Sequence, residues 1–520
     1  MTASTALTTG AAAAARKAGA TVDFNSLLIG ANVLIVGLIL QGWAYRGANE
    51  YADGLTVILG IALCAETIVA LLLERRARDP FAILLAFIMT CYFSLRIYTL
   101  LLYPFSGVFE RFAYGTSDTN YALVFVIIAN VFLYAGLRVV RFGGAQAVDH
   151  EGWRPGSPWR AILLLFLAIV FGYFSVNYWT PENIPRVINF IVLFLSHSMV
   201  MLLALSYFIL YRRSFSRLAA ASIAVLVVAE IVLSILFGSR SAMLNTIQSI
   251  ILVVLAIAGS LRLRVRHLVL AVLLSPLLVA LAGAGFVIAT QNRALKDTPT
   301  SFDLGQSLEY ARFGASSLSD QKDLDIILPP IFARAGFFDF AAEVIAHRQE
   351  YSSIFTPATY FKSIVDNLLT PGFDVYDQPK IGNSLKFVYD SMGDPSKEVA
   401  EQFYQSDQLE IFGEFYALLG YASLPLFFLV AWLLKRTYVR LRARNPFMFT
   451  MKRVVVLFVW VEIINSFGLD WLAVEMFPLV VAILMYRGFF TSKRVVARGS
   501  GSAPSQRRDA RAAGAPLAGT

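Results

Sequence analysis

A handful of arginines and acids set the chemistry open to this chain. Arg96 stands in the apolar run 90–102, where a guanidinium costs at least ~2.5–3 kcal/mol on membrane-insertion scales. A charge so placed needs a partner or a cavity. Either it pairs with an acid such as Glu66 or Glu230, or it contacts an anion. Arg240 lies in Phe237-Gly-Ser-Arg-Ser-Ala242, between two apolar runs with few polar residues between them. Gly238 permits a tight turn there, and Ser239, Ser241 and the exposed N–H groups of the following helix would face an anion with Arg240. Snorkelling of Arg240 to lipid phosphate is the alternative. Farther on, Arg334, Phe338, Ala341, Ala342 and Ile345 recur at helical spacing. That pattern predicts an amphipathic helix on a membrane surface, with Arg334, Asp339, His347 and Arg348 available to a cleft. His197, alone in an apolar run, reads as a packing residue, and Glu230 as a neutralising partner or a base of raised pKa. Glu462, Asn465, Asp470 and Glu475 either line a cavity or bond between helices.

The elements that must position these residues are membrane helices. The chain is 57% hydrophobic and 15% charged, outside the composition of soluble domains. Runs of about twenty apolar residues recur, the length that crosses a hydrocarbon core. We read about twelve spans, near 25–45, 53–74, 81–103, 119–140, 159–178, 188–211, 217–237, 242–261, 267–290, 410–434, 452–468 and 471–488. The fold class expected is all-α, a polytopic bundle with a large, partly helical segment at 291–409. That segment is polar overall yet rich in aromatics such as Phe337, Phe340, Tyr351 and Tyr360, so it is expected to fold. Residues 1–24 and 489–520 read as disordered arms, 25–290 and 410–488 as the two sets of spans.

The net charge of +9 follows topology and gives no reason to expect nucleic acid. Alternate connections carry the cations: Arg75, Arg76, Arg78; Arg138, Arg141, Arg154, Arg160; Arg212, Arg213, Arg217; Arg262, Arg264, Arg266; and Lys435 through Arg453. The other connections hold isolated ones such as Arg46, Arg111 and Arg186. By the positive-inside rule the first set is cytoplasmic, with both termini, and 291–409 lies outside. Cys64 and Cys91 sit within apolar runs, which argues against a disulfide framework. No His/Cys/Glu group has metal-ligand spacing, and Asp323-Leu-Asp325 reads as a solvated turn, so no metal is expected. No phosphate-cradling Gly loop or G-x-S-x-G occurs, so no cofactor is expected either. The halves show no repeat of the long segment, as a transporter built from inverted repeats would.

The chain resembles the O-antigen polymerase family of bacterial envelopes. The likeness rests on Tyr92-Phe-Ser-Leu-Arg-Ile-Tyr98, Phe237-Gly-Ser-Arg-Ser-Ala242, the long outer segment, and Phe412-Gly-Glu-Phe-Tyr-Ala-Leu-Leu-Gly-Tyr-Ala422 after it. It implies a GT-C-type glycosyltransferase of the inner membrane that joins undecaprenyl-diphosphate-linked repeat units at the periplasmic face, without metal or nucleotide. The implied partners are lipid-linked glycan donor and acceptor, the bilayer, a chain-length regulator and a flippase. In such a reaction arginines stabilise the leaving diphosphate, which points to Arg96, Arg240, Arg312, Arg334 and Arg348. An acid or histidine takes the acceptor proton, which points to Asp339, His347 and Glu414. An O-antigen ligase, or a flippase of lipid-linked oligosaccharides, is the alternative reading.

The alternation of cations makes a direct forecast. A tag inserted near Ser391 is expected to be accessible from the periplasm and one near Arg442 to be protected; protection of the first would reverse the orientation.

Overall fold

The computed structural model describes residues 21–74, 79–102, 114–141, 153–170, 197–236, 240–259, 262–264, 338–369, 409–443, 445–465, 479–480 and 483–493, with Gly305, Glu309, Arg312, Val375 and Tyr376. The chain is helical. In order come β1 (Thr21–Asp23), α1 (Phe24–Arg46), α2 (Gly54–Glu74), α3 (Pro80–Leu102) and α4 (Thr116–Val139). β2 (Trp153–Pro155), α5 (Pro158–Val170), α6 (His197–Tyr211), α7 (Arg217–Leu236), α8 (Arg240–Ala258) and β3 (Arg262–Arg264) follow. Then come α9 (Phe338–Ala346), α10 (Arg348–Ile354), α11 (Pro357–Leu369), α12 (Ile411–Leu419), α13 (Leu424–Arg440), α14 (Pro446–Asn465) and β4 (Thr491–Lys493).

Six stretches among the described residues are long and apolar enough to cross a bilayer: α1, α2, α3, α4, residues Arg217–Ser234 of α7, and Ile411–Arg440, which joins α12 and α13. Shorter apolar helices fall at other expected spans, at Pro158–Val170, Val200–Tyr211 and Gln248–Ala258. The expected span 267–290 and most of 466–482 lie outside the described residues.

Membrane helices gain little from burying apolar surface against one another, so close packing and polar contacts must hold them. Both occur here. Gly136 of α4 lies against the backbone of Phe428, and an added Cβ would stand 3.0 Å from Cβ of Ala431 on α13. The aromatic rings of Phe93, Phe412, Phe427 and Phe125 stack in series at 5.2–5.9 Å, tying α3 to α12, α13 and α4. Asn32 of α1 donates to the Thr90 hydroxyl of α3 at 2.8 Å. Thr90 lies in a π-helical stretch, Met89–Ser94, a local widening often found where a helix must aim a functional side chain.

The bundle has two chemically different ends. At one, two short antiparallel pairs join distant connections: β1 with β3, and β2 with β4. The Arg262–Arg264 connection thereby meets the start of α1, and Arg154 meets the Thr491–Lys493 segment. The strands also correct the sequence reading of the arms, since residues 21–23 and 491–493 are ordered by pairing. At this same end Asp79 caps α3, accepting from the Phe81 amide at 3.0 Å, and forms a buried ion pair with Lys435. Lys435 also donates to the carbonyl of Leu137, so one ammonium joins α13 to α3 and α4. Burial raises the Asp79 carboxyl to about 6, although Lys435 opposes the rise.

The opposite end is held by a polar turn between α1 and α2. Asn49 accepts from the amides of Tyr51 and Ala52, both at 2.9 Å, and donates to the carbonyl of Leu100 at 3.0 Å. Asp53 and Thr56 bond Asn120 of α4. α9 packs on α4 and α12 at this end.

The Asp79–Lys435 pair yields a test. Lys435→Met should destabilise by roughly 3–5 kcal/mol, because it strands a buried carboxylate, whereas Asp79→Leu with Lys435→Met should recover most of that loss. Thermal unfolding of the purified variants reads both values.

Candidate functional site

Most of the candidate residues described in the structure meet where α9–α11 rest on the bundle. Arg96 follows directly on the π-helical stretch of α3, and its guanidinium points to Asp339 in the first turn of α9. Nη2 is 2.8 Å from Oδ2, and Nε donates to both carboxylate oxygens at 3.0 and 3.1 Å. Nη1 donates to Thr99 at 3.1 Å, and the Tyr114 hydroxyl donates to Asp339 at 3.0 Å. Both residues are buried, at 2% and 0% exposure, so this pair is internal and not open to solvent. The acid that meets Arg96 is Asp339, not Glu66 or Glu230.

Burial pushes the Asp339 carboxyl upward, and the Arg96 guanidinium and Tyr114 hydroxyl oppose the rise. A guanidinium does not lose its proton in a protein, so the carboxylate beside it is held charged. Tyr114 is in turn fixed by the ring of Tyr51, edge-on at 5.3 Å. Its hydroxyl is pushed well above its ordinary value by burial and then by Asp339.

Glu410 adds a second buried carboxyl that the sequence reading did not single out. It caps α12, is 0% exposed, and neither oxygen has a hydrogen-bond partner of good geometry. Burial, and then the charge of Asp339, push it well above the ordinary carboxylate range; the Ala341 amide opposes this. The signal available in the sequence was its spacing one helical turn before Glu414. Glu414 is also buried, at 1% exposure, and accepts from the Tyr360 hydroxyl of α11.

His347 and Arg348 lie at the α9–α10 junction and are more open. His347 is 31% exposed, with Nε2 3.9 Å from Glu343 and Nδ1 3.6 Å from Glu350. Arg348 is exposed. Its guanidinium lies 5.6 Å from the centre of the Tyr416 ring and close to Gly420, which ends α12 with φ of 58°. Any side chain at 420 would both strain that turn and strike Arg348, within 2.8 Å of Nη2. The guanidinium thus sits at a helix C-terminus, where a cation is favoured.

The remaining candidates are not joined to this group. Arg312 is helical and exposed. Arg240 is the first residue of α8, and its side chain lies outside the described residues, as does all of Arg334. The Phe237–Ser239 turn, His197's side chain, Asp323, Asp325, Asp470 and Glu475 also lie outside them. Glu462 bonds Gln248 of α8 at 3.1 Å, one of the two roles expected for it. Among the described residues no group of three His, Cys, Asp or Glu could hold a metal ion, and Cys64 and Cys91 are free thiols. No family model, curated protein or solved structure matches this chain.

The buried carboxyl of Glu410 predicts a pH dependence. An acid whose folded pKa is raised holds a proton in the folded state that it releases on unfolding. Its contribution to stability is greatest below the unfolded value near about 4.3, and falls as pH rises through the window up to the raised folded value. Glu410→Gln keeps the shape without the ionisation. It should flatten that fall by up to about 1.4 kcal/mol per pH unit within the window, read by denaturation in detergent across pH.

Proposed function

We propose that this chain is a membrane glycosyltransferase that polymerises undecaprenyl-diphosphate-linked repeat units. In this reading the cation-rich end of the bundle faces the cytoplasm of a bacterial inner membrane, and α9–α11 lie on the periplasmic side. The observation that carries it is the docking of Asp339 on Arg96. It seats the polar segment on the bundle beside Glu410, Glu414, His347 and Arg348. A lipid-linked substrate keeps its diphosphate at the membrane surface, where this cluster would meet it.

The chemistry divides between exposed and buried groups. Arg348 is open to an arriving anion, and the Tyr416 face beside it offers a surface for a sugar ring or lipid. As the bond from the donor sugar to diphosphate breaks, negative charge grows on the leaving oxygens, and a fixed guanidinium stabilises it. His347, half-exposed between Glu343 and Glu350, accepts the proton of the acceptor hydroxyl, and the flanking carboxylates stabilise the imidazolium. Arg96 and Asp339 neutralise each other and position α9, since neither side chain faces solvent.

Full-length protein in nanodiscs, given lipid-linked repeat units, should build a ladder of longer lipid-linked glycans, and should do so in excess EDTA. His347→Ala and Arg348→Ala should each lower turnover by roughly 10²–10³-fold, and Arg348→Lys should also be impaired, because lysine lacks the planar fork. No ladder from the parent protein, or full activity in all three variants at matched membrane levels, would overturn the reading. Transfer to lipid A core without a ladder would make it a ligase.

A further inference from the structure

A second concentration of polar groups lies within the membrane-spanning region, away from the site above. A cleft of about 290 Å³ runs between α2 and α4, and its wall includes Glu66, Leu73, Glu74, Val131, Tyr134 and Arg138. Neither carboxylate oxygen of Glu66 has a hydrogen-bond partner. Asn130 of α4 is 0% exposed, and its amide acts on Glu66 without a hydrogen bond of good geometry. The Tyr134 hydroxyl is also buried and unpartnered.

These groups are not scattered. Glu66, Ala70 and Glu74 are one turn apart on α2, and Asn130, Tyr134 and Arg138 one turn apart on α4, so each set forms a stripe along its helix. The stripes meet the cation-rich end at Glu74 and Arg138, next to Leu137, whose carbonyl takes Lys435. From there Glu66 lies about 12 Å deeper, eight residues along the helix. The charged groups acting on this stripe are Glu74 on α2, Arg138 on α4 and, from the start of α3, Asp79 with its partner Lys435.

The inventory selects the ligand class. Among the described residues lining the cleft Glu66 is the charged group at this depth, with Arg138 eight residues along α4 from Asn130 at the mouth, so the site repels an anion and offers a cation two carboxylate oxygens, an amide oxygen and a hydroxyl oxygen. A single acid in apolar walls is too little charge for a divalent ion, which takes several carboxylates or waters. A carboxylate left bare at this depth would be costly, and such residues mark ion and proton paths. We propose that Glu66, with Asn130 and Tyr134, forms an intramembrane site for a monovalent cation, H⁺ or Na⁺, reached along the α2–α4 cleft from the cation-rich end.

A lipid-soluble carbodiimide tests this. The reagent adds whole across a protonated carboxyl, giving an O-acylisourea that rearranges to a stable N-acylurea with nothing released. An ionised, Na⁺-loaded carboxylate does not react. Full-length protein in nanodiscs should gain one reagent mass on the peptide holding Glu66, and Glu66→Gln should not. The rate should fall about tenfold per pH unit above the titration point. At fixed pH, excess sodium chloride is compared with equal choline chloride. Suppression by sodium identifies Na⁺ as the occupant, whereas an unchanged rate with the pH dependence intact identifies H⁺. Absence of modification at Glu66 across pH, or modification indifferent to both pH and sodium, would overturn the proposal.

Discussion

The guanidinium of Arg96 is the constraint around which the rest of the structure is arranged. It sits in a membrane helix, cannot shed its proton, and is buried at 2% exposure. Such a charge needs a carboxylate at bonding distance, and among the described residues none of α1–α8 supplies one. Asp339 does, from a segment 243 residues away along the chain. Removing water from both ions offsets much of their attraction, so the pair adds less net stability than its geometry suggests. The pair ties α9 to α3, and α9 in turn packs on α4 and α12.

The surrounding contacts extend the same logic. Tyr114 orients the carboxylate, and Tyr51 packs against Tyr114. The turn that carries Tyr51 is fixed by Asn49, which reaches the last turn of α3, the helix that carries Arg96. A closed circuit therefore runs from α3 through α9, the start of α4 and the α1–α2 turn, then back to α3. The opposite end has its own fixed point in Asp79 and Lys435, so each end of the bundle is joined by one buried pair. Between them the helices are held by aromatic stacking and by close approach at Gly136.

This arrangement separates groups that look equivalent as a list of charges. Asp339 and Glu414 are occupied by Arg96 and Tyr360 and lie inside the fold, whereas His347, beside Glu343 and Glu350, is partly exposed and Arg348 is exposed. Glu410 differs from Asp339 because, among the described residues, no cation pairs with it. Two buried carboxyls in one small region cannot both carry charge cheaply, and the one with the guanidinium keeps it.

Hydrophobic run length was enough to foresee helices near 25–45, 53–74, 81–103 and 119–140, where α1 to α4 stand, because a bilayer demands that length of apolar helix whatever its neighbours are. The pairing of Arg262–Arg264 with Thr21–Asp23 puts one cation-rich connection beside the start of α1. A helix around Phe338 was legible too, but it is not the surface helix with one apolar face that was expected: Asp339, Glu343 and Val344 are buried along with Phe338, Ala341 and Ala342, because α9 packs between α4 and α12. What periodicity does not contain is partnership. That Arg96 meets Asp339 and not Glu66, or that Glu410 is buried beside Asp339, depends on which helix faces which across hundreds of residues. Burial then decides the rest: only the tertiary structure sets which charge is neutralised inside the fold and which stays open to a ligand.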